Sequence, residues 1–199
     1  MILRCATTNA GKLREFHLAA ERLGFPQIDI QPLDGLKQIE PCEEDGATFE
    51  ENAVKKAVYY SRYTADPIFA DDSGLEVDAL GGEPGVYSAR YSPEGTDSEN
   101  NRLVLERMEG RADRTARFVC VIALAHEGRL AATFRGTVEG RIAQGESGPH
   151  GFGYDPLFYY PPFGCTFGEV ERERKMRVSH RGEALRQLLD YFFLNFHIE

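Results

Sequence analysis

The sequence predicts an α/β fold, and three observations predict it. The chain opens on a strand, a loop of small residues and a helix. Strand-like and helical segments continue to alternate through its first half. Two long β-prone runs then meet at a hairpin signal. Taken in order, residues 2–7 read as a short buried strand, followed by a turn at Thr8, Asn9, Ala10 and Gly11. Residues 12–23 have helical spacing, with Leu13, Phe16, Ala20 and Leu23 on one face. Ile28, Ile30 and Leu33 mark a second strand, and residues 40–45 form an acidic loop. Thr48 with Glu51 three positions on is a capping box, opening a helix that runs to about Thr64 with Phe49, Ala53, Ala57 and Tyr60 inward. Residues 68–70 and 75–80 read as two strands around an acidic turn, followed by a tight loop at 81–85 and a helix over 99–108. Residues 117–125 and 130–138 form the hairpin, joined through His126, Glu127 and Gly128. A glycine-rich loop at 145–153 leads to a short strand at 157–160 that Pro161 and Pro162 stop. Residues 169–175 read as a charged helical turn. The last helix begins near Ser179 and carries Leu185, Leu188, Leu189, Phe192 and Phe196 as an apolar stripe.

A chain of 199 residues is long enough for one large domain or two small lobes around a shared core. A net charge of −9 argues against sequence-independent nucleic-acid binding, which needs a broad basic footprint, but leaves room for a small anion in a local basic pocket. No apolar run approaches the length that spans a bilayer, and the opening residues do not have the pattern of a secretory signal, so no membrane role is expected. Cys5, Cys42, Cys120 and Cys165 lie far apart with no C-x-x-C pair, which suits a reduced, cytoplasmic compartment.

The most informative stretch is Phe69-Ala70-Asp71-Asp72-Ser73-Gly74. Two carboxylates at the end of a core strand are costly unless their charge is compensated, and a hard divalent cation with phosphate as its other partner does this well. The block therefore points to a Mg²⁺ site that handles a phosphorylated substrate. Glu43, Glu44 and Asp45 supply further oxygens if they meet it in space; otherwise they only favour the adjacent helix dipole. Thr7, Thr8, Asn9, Ala10, Gly11 and Lys12 read either as a phosphate-binding loop with a lysine point charge or as an N-capped helix. The P-loop pattern is absent, because its first glycine is missing. Phe152, Gly153, Tyr154 and Asp155 offer a stacking surface for a base with an acceptor beside it, or equally a turn with two core aromatics. Lys175, with Ser179, His180 and Arg181 at a helix start, is a receptor for an anion or carbonyl, or a cap with solvated basic residues. A Ser/His hydrolase lacks its strand–nucleophile–helix arrangement here.

Together these segments resemble the inosine/xanthosine triphosphate pyrophosphatase family. The match runs in order through Ala6-Thr7-Thr8-Asn9-Ala10-Gly11-Lys12, Glu44-Asp45-Gly46-Ala47-Thr48-Phe49-Glu50-Glu51-Asn52-Ala53 and Ala70-Asp71-Asp72-Ser73-Gly74-Leu75. It continues through residues 80–91, Gly151-Phe152-Gly153-Tyr154-Asp155-Pro156 and Ser179-His180-Arg181-Gly182, and so covers nearly the whole chain. The resemblance implies an elongated, two-lobed α/β domain over residues 1–199 with a long central mixed sheet flanked by helices and a central cleft, and a homodimer. It implies Mg²⁺-dependent cleavage of ITP, dITP or XTP to the monophosphate and pyrophosphate. At matching positions Asp72 is the catalytic base and a metal ligand, and Glu44 the second ligand. Thr7 to Lys12, Ser73 and Lys175 hold phosphates and sugar, while Phe152 to Asp155 with His180 and Arg181 form the purine pocket. Cys165 departs from the family, whose members often carry lysine there. A pyrophosphatase for modified pyrimidine nucleotides and a nucleotide-sensing module without turnover are the rival readings. Clustered carboxylates disfavour the second, because binding alone needs no base.

Overall fold

A computed structural model describes residues 1–196; residues 197–199 of the expected domain lie outside the described residues. Among the described residues, seven strands form one sheet in the order β2-β1-β3-β4-β5-β6-β7: β1 Ile2–Cys5, β2 Asp29–Pro32, β3 Ile68–Val77, β4 Thr115–His126, β5 Arg129–Ile142, β6 Phe158–Tyr160 and β7 Cys165–Thr166. β1 pairs in parallel with both β2 and β3, and β6 pairs antiparallel with β5 and β7, so the sheet is mixed. Helices α1 Ala10–Leu23, α2 Phe49–Tyr60, α3 Asp97–Arg107, α4 Arg172–Met176 and α5 His180–Asn195 complete the α/β fold. Burial is nearly continuous along β3 and β4, as expected of strands covered on both faces, whereas β5 alternates buried and exposed residues along its second half.

The chain divides into two compact units. The first holds residues 1–72, 120–136 and those from His180 onward; the second holds residues 73–119 and 137–179. In the first unit, α1 is capped by Asn9 and ends on Gly24 with a left-handed backbone, and it buries Phe16, Ala19 and Ala20 at helical spacing. Phe16 meets Phe69 edge to face at 5.0 Å. The aromatic tail has a packing role: Phe192 stacks on Phe196, Tyr191 meets Phe134, and Phe193 meets Phe25. Glu127 and Gly128, both at positive φ, close the β4–β5 hairpin in two residues. In the second unit, Leu75, Val77, Val104, Met108, Phe118, Val138, Ile142, Leu157, Phe158 and Phe167 share one core.

One helix boundary differs from expectation, and one strand was not expected. The helix expected to reach Thr64 ends at Tyr60 and tightens into a 3₁₀ turn, Ser61–Tyr63. The strand expected to stop at Pro161 does stop there, at Tyr160, but a 3₁₀ turn, Pro161–Phe163, is followed by β7, which the prolines concealed.

Candidate active site

The acidic block does not turn. Residues 71–74 lie inside β3, which is continuous from Ile68 to Val77. Gly74 is there for close approach: a Cβ on it would stand 2.2 Å from Ser88 Oγ and 2.7 Å from the Gly85 carbonyl oxygen. The Ser88 hydroxyl accepts the Leu75 N–H at 2.9 Å and donates to Gly85 O at 2.6 Å, which fixes the strand just beyond the carboxylates.

Asp71 and Asp72 alternate across the sheet, so the same sequence gives two different carboxylates. Asp71 is buried. Burial alone would raise its pKa, but Lys12 at 2.8 Å, with Arg181 and Lys56, outweighs burial and holds it at about 2. Asp72 is also buried, and here burial wins over Lys56 and the Asn52 hydrogen bond, so its pKa is raised. One carboxylate is thereby locked as an anion, and the other is made more basic.

Helix α2 brings two side chains to Asp72 from positions one turn apart. Lys56 Nζ lies 2.9 Å from Glu44 Oε2 and 3.6 Å from Asp72 Oδ1, while Asn52 Nδ2 donates to Asp72 Oδ2 at 3.1 Å. Burial opposes the charge of Lys56, but Asp72, Asp71 and Glu44 outweigh it and raise its pKa. Glu44 and Asp72 thus face one shared positive charge. Asp45 instead pairs with Lys55.

The Thr7–Lys12 loop satisfies many of its own donors. Asn9 Oδ1 accepts from Gly11 N–H at 2.8 Å and Lys12 N–H at 3.1 Å, and Thr7 Oγ1 accepts from Asn9 N–H at 3.2 Å. Thr8, Asn9 and Ala10 are exposed, and Lys12 is turned toward Asp71. At the start of α5, His180 and Arg181 are buried, not solvated. Arg181 pairs with the buried Glu15 on α1. Burial would lower the arginine's pKa, but Glu15 and Asp71 outweigh it and raise it.

In the second unit, Asp155 Oδ2 accepts from Phe152 N–H at 3.0 Å and from Lys175 Nζ at 2.7 Å, with both side chains of that ion pair buried. The Lys175 ammonium also sits 5.1 Å from the centre of the Phe152 ring. Tyr154 is a core residue whose hydroxyl donates to Ser88 O at 2.7 Å, so of the two aromatics only Phe152 keeps part of its ring accessible. Gly153 is gripped from α3: Asp97 Oδ2 accepts its N–H at 2.7 Å, and Asn101 Nδ2 donates to its carbonyl at 3.1 Å. Ser73 is partly buried on β3.

The chain as a whole has similar relatives. The sequence model described as the Ham1 family matches residues 3–191. The chain belongs to the Ham1 family. A family relative from Exiguobacterium sp., named dITP/XTP pyrophosphatase, is 48% identical over 94% of this chain and 95% of its own length. One from Thermus thermophilus with the same name is 49% identical over 94% of this chain and 89% of its own. Among solved structures, a Ham1 protein from Coxiella burnetii superposes with a TM-score of 0.86 at 39% identity, over 98% of this chain and 99% of that one. The Ham1 protein of Staphylococcus aureus gives 0.85 at 38% identity, over 97% and 98%.

Within this Ham1 chain, sequence reading passed over Lys56, Asn52, Glu15 and the Asp97–Asn101 grip on Gly153. Only the i, i+4 spacing of Asn52 and Lys56 on a helix next to an acidic loop was a local signal. Among the described residues no three His, Cys, Asp or Glu side chains form a cage for a metal ion. The donor set is two carboxylates already balanced against one cation. That suits an ion that keeps few protein ligands and completes its shell with phosphate oxygens and water.

Proposed function

We propose that this protein hydrolyses dITP, XTP and ITP to the nucleoside monophosphate and pyrophosphate, removing deaminated purine nucleotides from the nucleotide pool. The observation that carries this reading is the convergence of Glu44 and Asp72 on one positive charge, in a Ham1-family chain whose relatives are named dITP/XTP pyrophosphatases.

Asp72 is the general base. Its raised pKa makes it a better proton acceptor than an exposed carboxylate. It takes a proton from water. The water oxygen bonds to the α-phosphorus as the bond from that phosphorus to the bridging oxygen breaks, and pyrophosphate departs. Glu44 and Asp72 would hold Mg²⁺, which when bound supplies neutralisation of the polyphosphate and fixes its oxygens. Thr7, Thr8, Asn9, Ala10, Gly11, Lys12, Ser73 and Lys175 are assigned to phosphates and sugar. The Asn9 and Thr7 contacts support this by setting the loop's shape before any anion arrives. Phe152, Gly153, Tyr154, Asp155, His180 and Arg181 are assigned to the purine. Tyr154 and Arg181, being buried, act by shaping their surroundings. Donors facing a 6-oxo group stay unpaired against the 6-amino group of adenine, which selects against ATP.

The reading extends to a single catalytic domain over residues 1–199 acting in the cytoplasm as a homodimer. The family match across residues 3–191 and four free cysteines support the domain and the compartment respectively. Among the described residues no helix is long and apolar enough to cross a membrane.

Pyrophosphate release from ITP, dITP, XTP, GTP, ATP and dUTP, each with Mg²⁺ and with EDTA, tests the proposal. Release from the first three should exceed that from ATP by about ten-thousandfold, in line with a site built around hydrogen bonds, and should stop in EDTA. Nucleotide binding by calorimetry with no product would make the protein a sensor, and preference for dUTP would make it a pyrimidine enzyme.

A further inference from the structure

We infer that Asn52 is a positioning residue that ties the Glu44 loop to Asp72 and fixes the rotation of that carboxylate. The inference rests on the pyrophosphatase reading, deepens it, and starts from one buried amide. Asn52 lies in the first turn of α2 and is 1% exposed. Its Oδ1 accepts the Gly46 N–H at 2.8 Å, and its Nδ2 donates to Asp72 Oδ2 at 3.1 Å. A single side chain therefore holds both the backbone two residues beyond Glu44 and the proposed base.

The chemistry of the position explains why the residue is asparagine. It needs one acceptor and one donor on the same short side chain. An ionised aspartate offers only acceptors, leucine offers neither, and glutamine is longer by a methylene. The approach is tight: a Cβ on Gly46 would lie 2.7 Å from Asn52 Oδ1 and 2.8 Å from Glu51 Cβ, so the loop comes this close only because residue 46 has no side chain. Glu51, the neighbour of Asn52, accepts the Ala47 N–H at 2.7 Å, so two successive loop N–H groups are held by two successive side chains of α2. One turn on, Lys56 faces Glu44 and the other oxygen of Asp72, Oδ1. Asp72 is thus held by Asn52 on one oxygen and faces the shared charge with the other. With Oδ2 engaged, rotation about the Cβ–Cγ bond is restrained, and Oδ1 is kept toward the place where a cation is balanced against Glu44.

Two variants separate this role from packing. Asn52→Ala removes both contacts. Asn52→Asp keeps an acceptor for Gly46 and loses the donor to Asp72. The readouts are amide hydrogen exchange at Gly46, melting temperature, and kcat and KM for ITP. In Asn52→Ala, exchange at Gly46 should rise by about tenfold or more as the loop loses its anchor. Its kcat should fall by about a hundredfold, the cost of misplacing a reacting group by about an ångström, with KM changed by less than about threefold. In Asn52→Asp, Gly46 should stay protected while kcat falls to a similar level. A packing role predicts a lower melting temperature with kcat per folded molecule unchanged, and that result overturns the assignment. So does an Asn52→Ala protein whose Gly46 exchanges at the wild-type rate, or failure of both variants to fold. If the wild-type protein releases no pyrophosphate from ITP, the functional reading fails by itself, and the Gly46 exchange in Asn52→Ala still decides whether the tie exists.

Discussion

Replacing Arg181 with alanine should destabilise the protein far more than its place at a helix start suggests. Arg181 is 3% exposed and pairs with Glu15, which is 1% exposed. Alanine at 181 leaves the Glu15 carboxylate buried without this cation. Asp71, the other acid near the guanidinium at 3.9 Å, keeps Lys12 at 2.8 Å, so the loss falls mainly on Glu15. Removing one member of a buried ion pair costs about 3–5 kcal/mol. For a chain of this length each kcal/mol moves the melting temperature by about 2–4 °C, so Arg181→Ala should melt about 6–20 °C below wild type. Thermal and urea unfolding followed by far-ultraviolet circular dichroism at pH 7 measures this directly. The double variant Glu15→Leu/Arg181→Met is the control, because apolar groups of similar volume replace a buried pair at little net cost and should recover most of the loss. A single variant melting within about 2 °C of wild type would refute the reasoning, since surface changes have effects of that size. A double variant no more stable than the single would refute it as well.

Asp72→Asn should lose pyrophosphate release by about a thousandfold while keeping or gaining stability, because burial already penalises the charge it removes; a melting scan beside the assay checks both, and near-normal turnover would remove Asp72 from the chemistry. Asp71 has the opposite sign. Its folded pKa of about 2 lies below the ordinary 3.8, so it contributes about 2 kcal/mol that is fully present above pH 4 and lost as pH falls toward 2. Urea midpoints at pH 5 and pH 2.5 should therefore converge between wild type and Asp71→Asn, and a constant gap would contradict the shift. Asp97→Ala frees the Gly153 N–H, so amide exchange at Gly153 should speed up and KM for ITP should rise by about threefold or more with kcat nearly unchanged; an unchanged KM would detach that loop from substrate. Gly74→Ala forces a methyl against Ser88 Oγ and the Gly85 carbonyl, which should cost about 1–3 kcal/mol of overpacking in urea titration; a neutral effect would mean β3 is not held by that contact.

The sequence by itself determined the elements whose cause is local. Phe16 and Ala20 on α1, the Glu127–Gly128 turn, and the leucine and phenylalanine stripe of α5 all follow from the spacing of neighbouring residues. It also marks Asp72, because carboxylates at the end of a core strand demand a compensating charge, whereas Glu44 is marked only by the family resemblance. Tertiary structure decided which charge compensates which. The sequence predicts a turn over residues 71–74, because Gly74 lets the backbone turn sharply. β3 runs straight through because Lys12, Arg181 and Lys56 arrive from elsewhere in the chain to hold Asp71 ionised. For the same reason the sequence leaves open whether Arg181 is solvated: Glu15, its partner, lies 166 positions away. Periodicity reports on residues within a few turns of one another, whereas Coulomb and hydrogen-bond energies depend only on distance in space. Buried charges and the amide of Asn52 therefore take their roles from the fold.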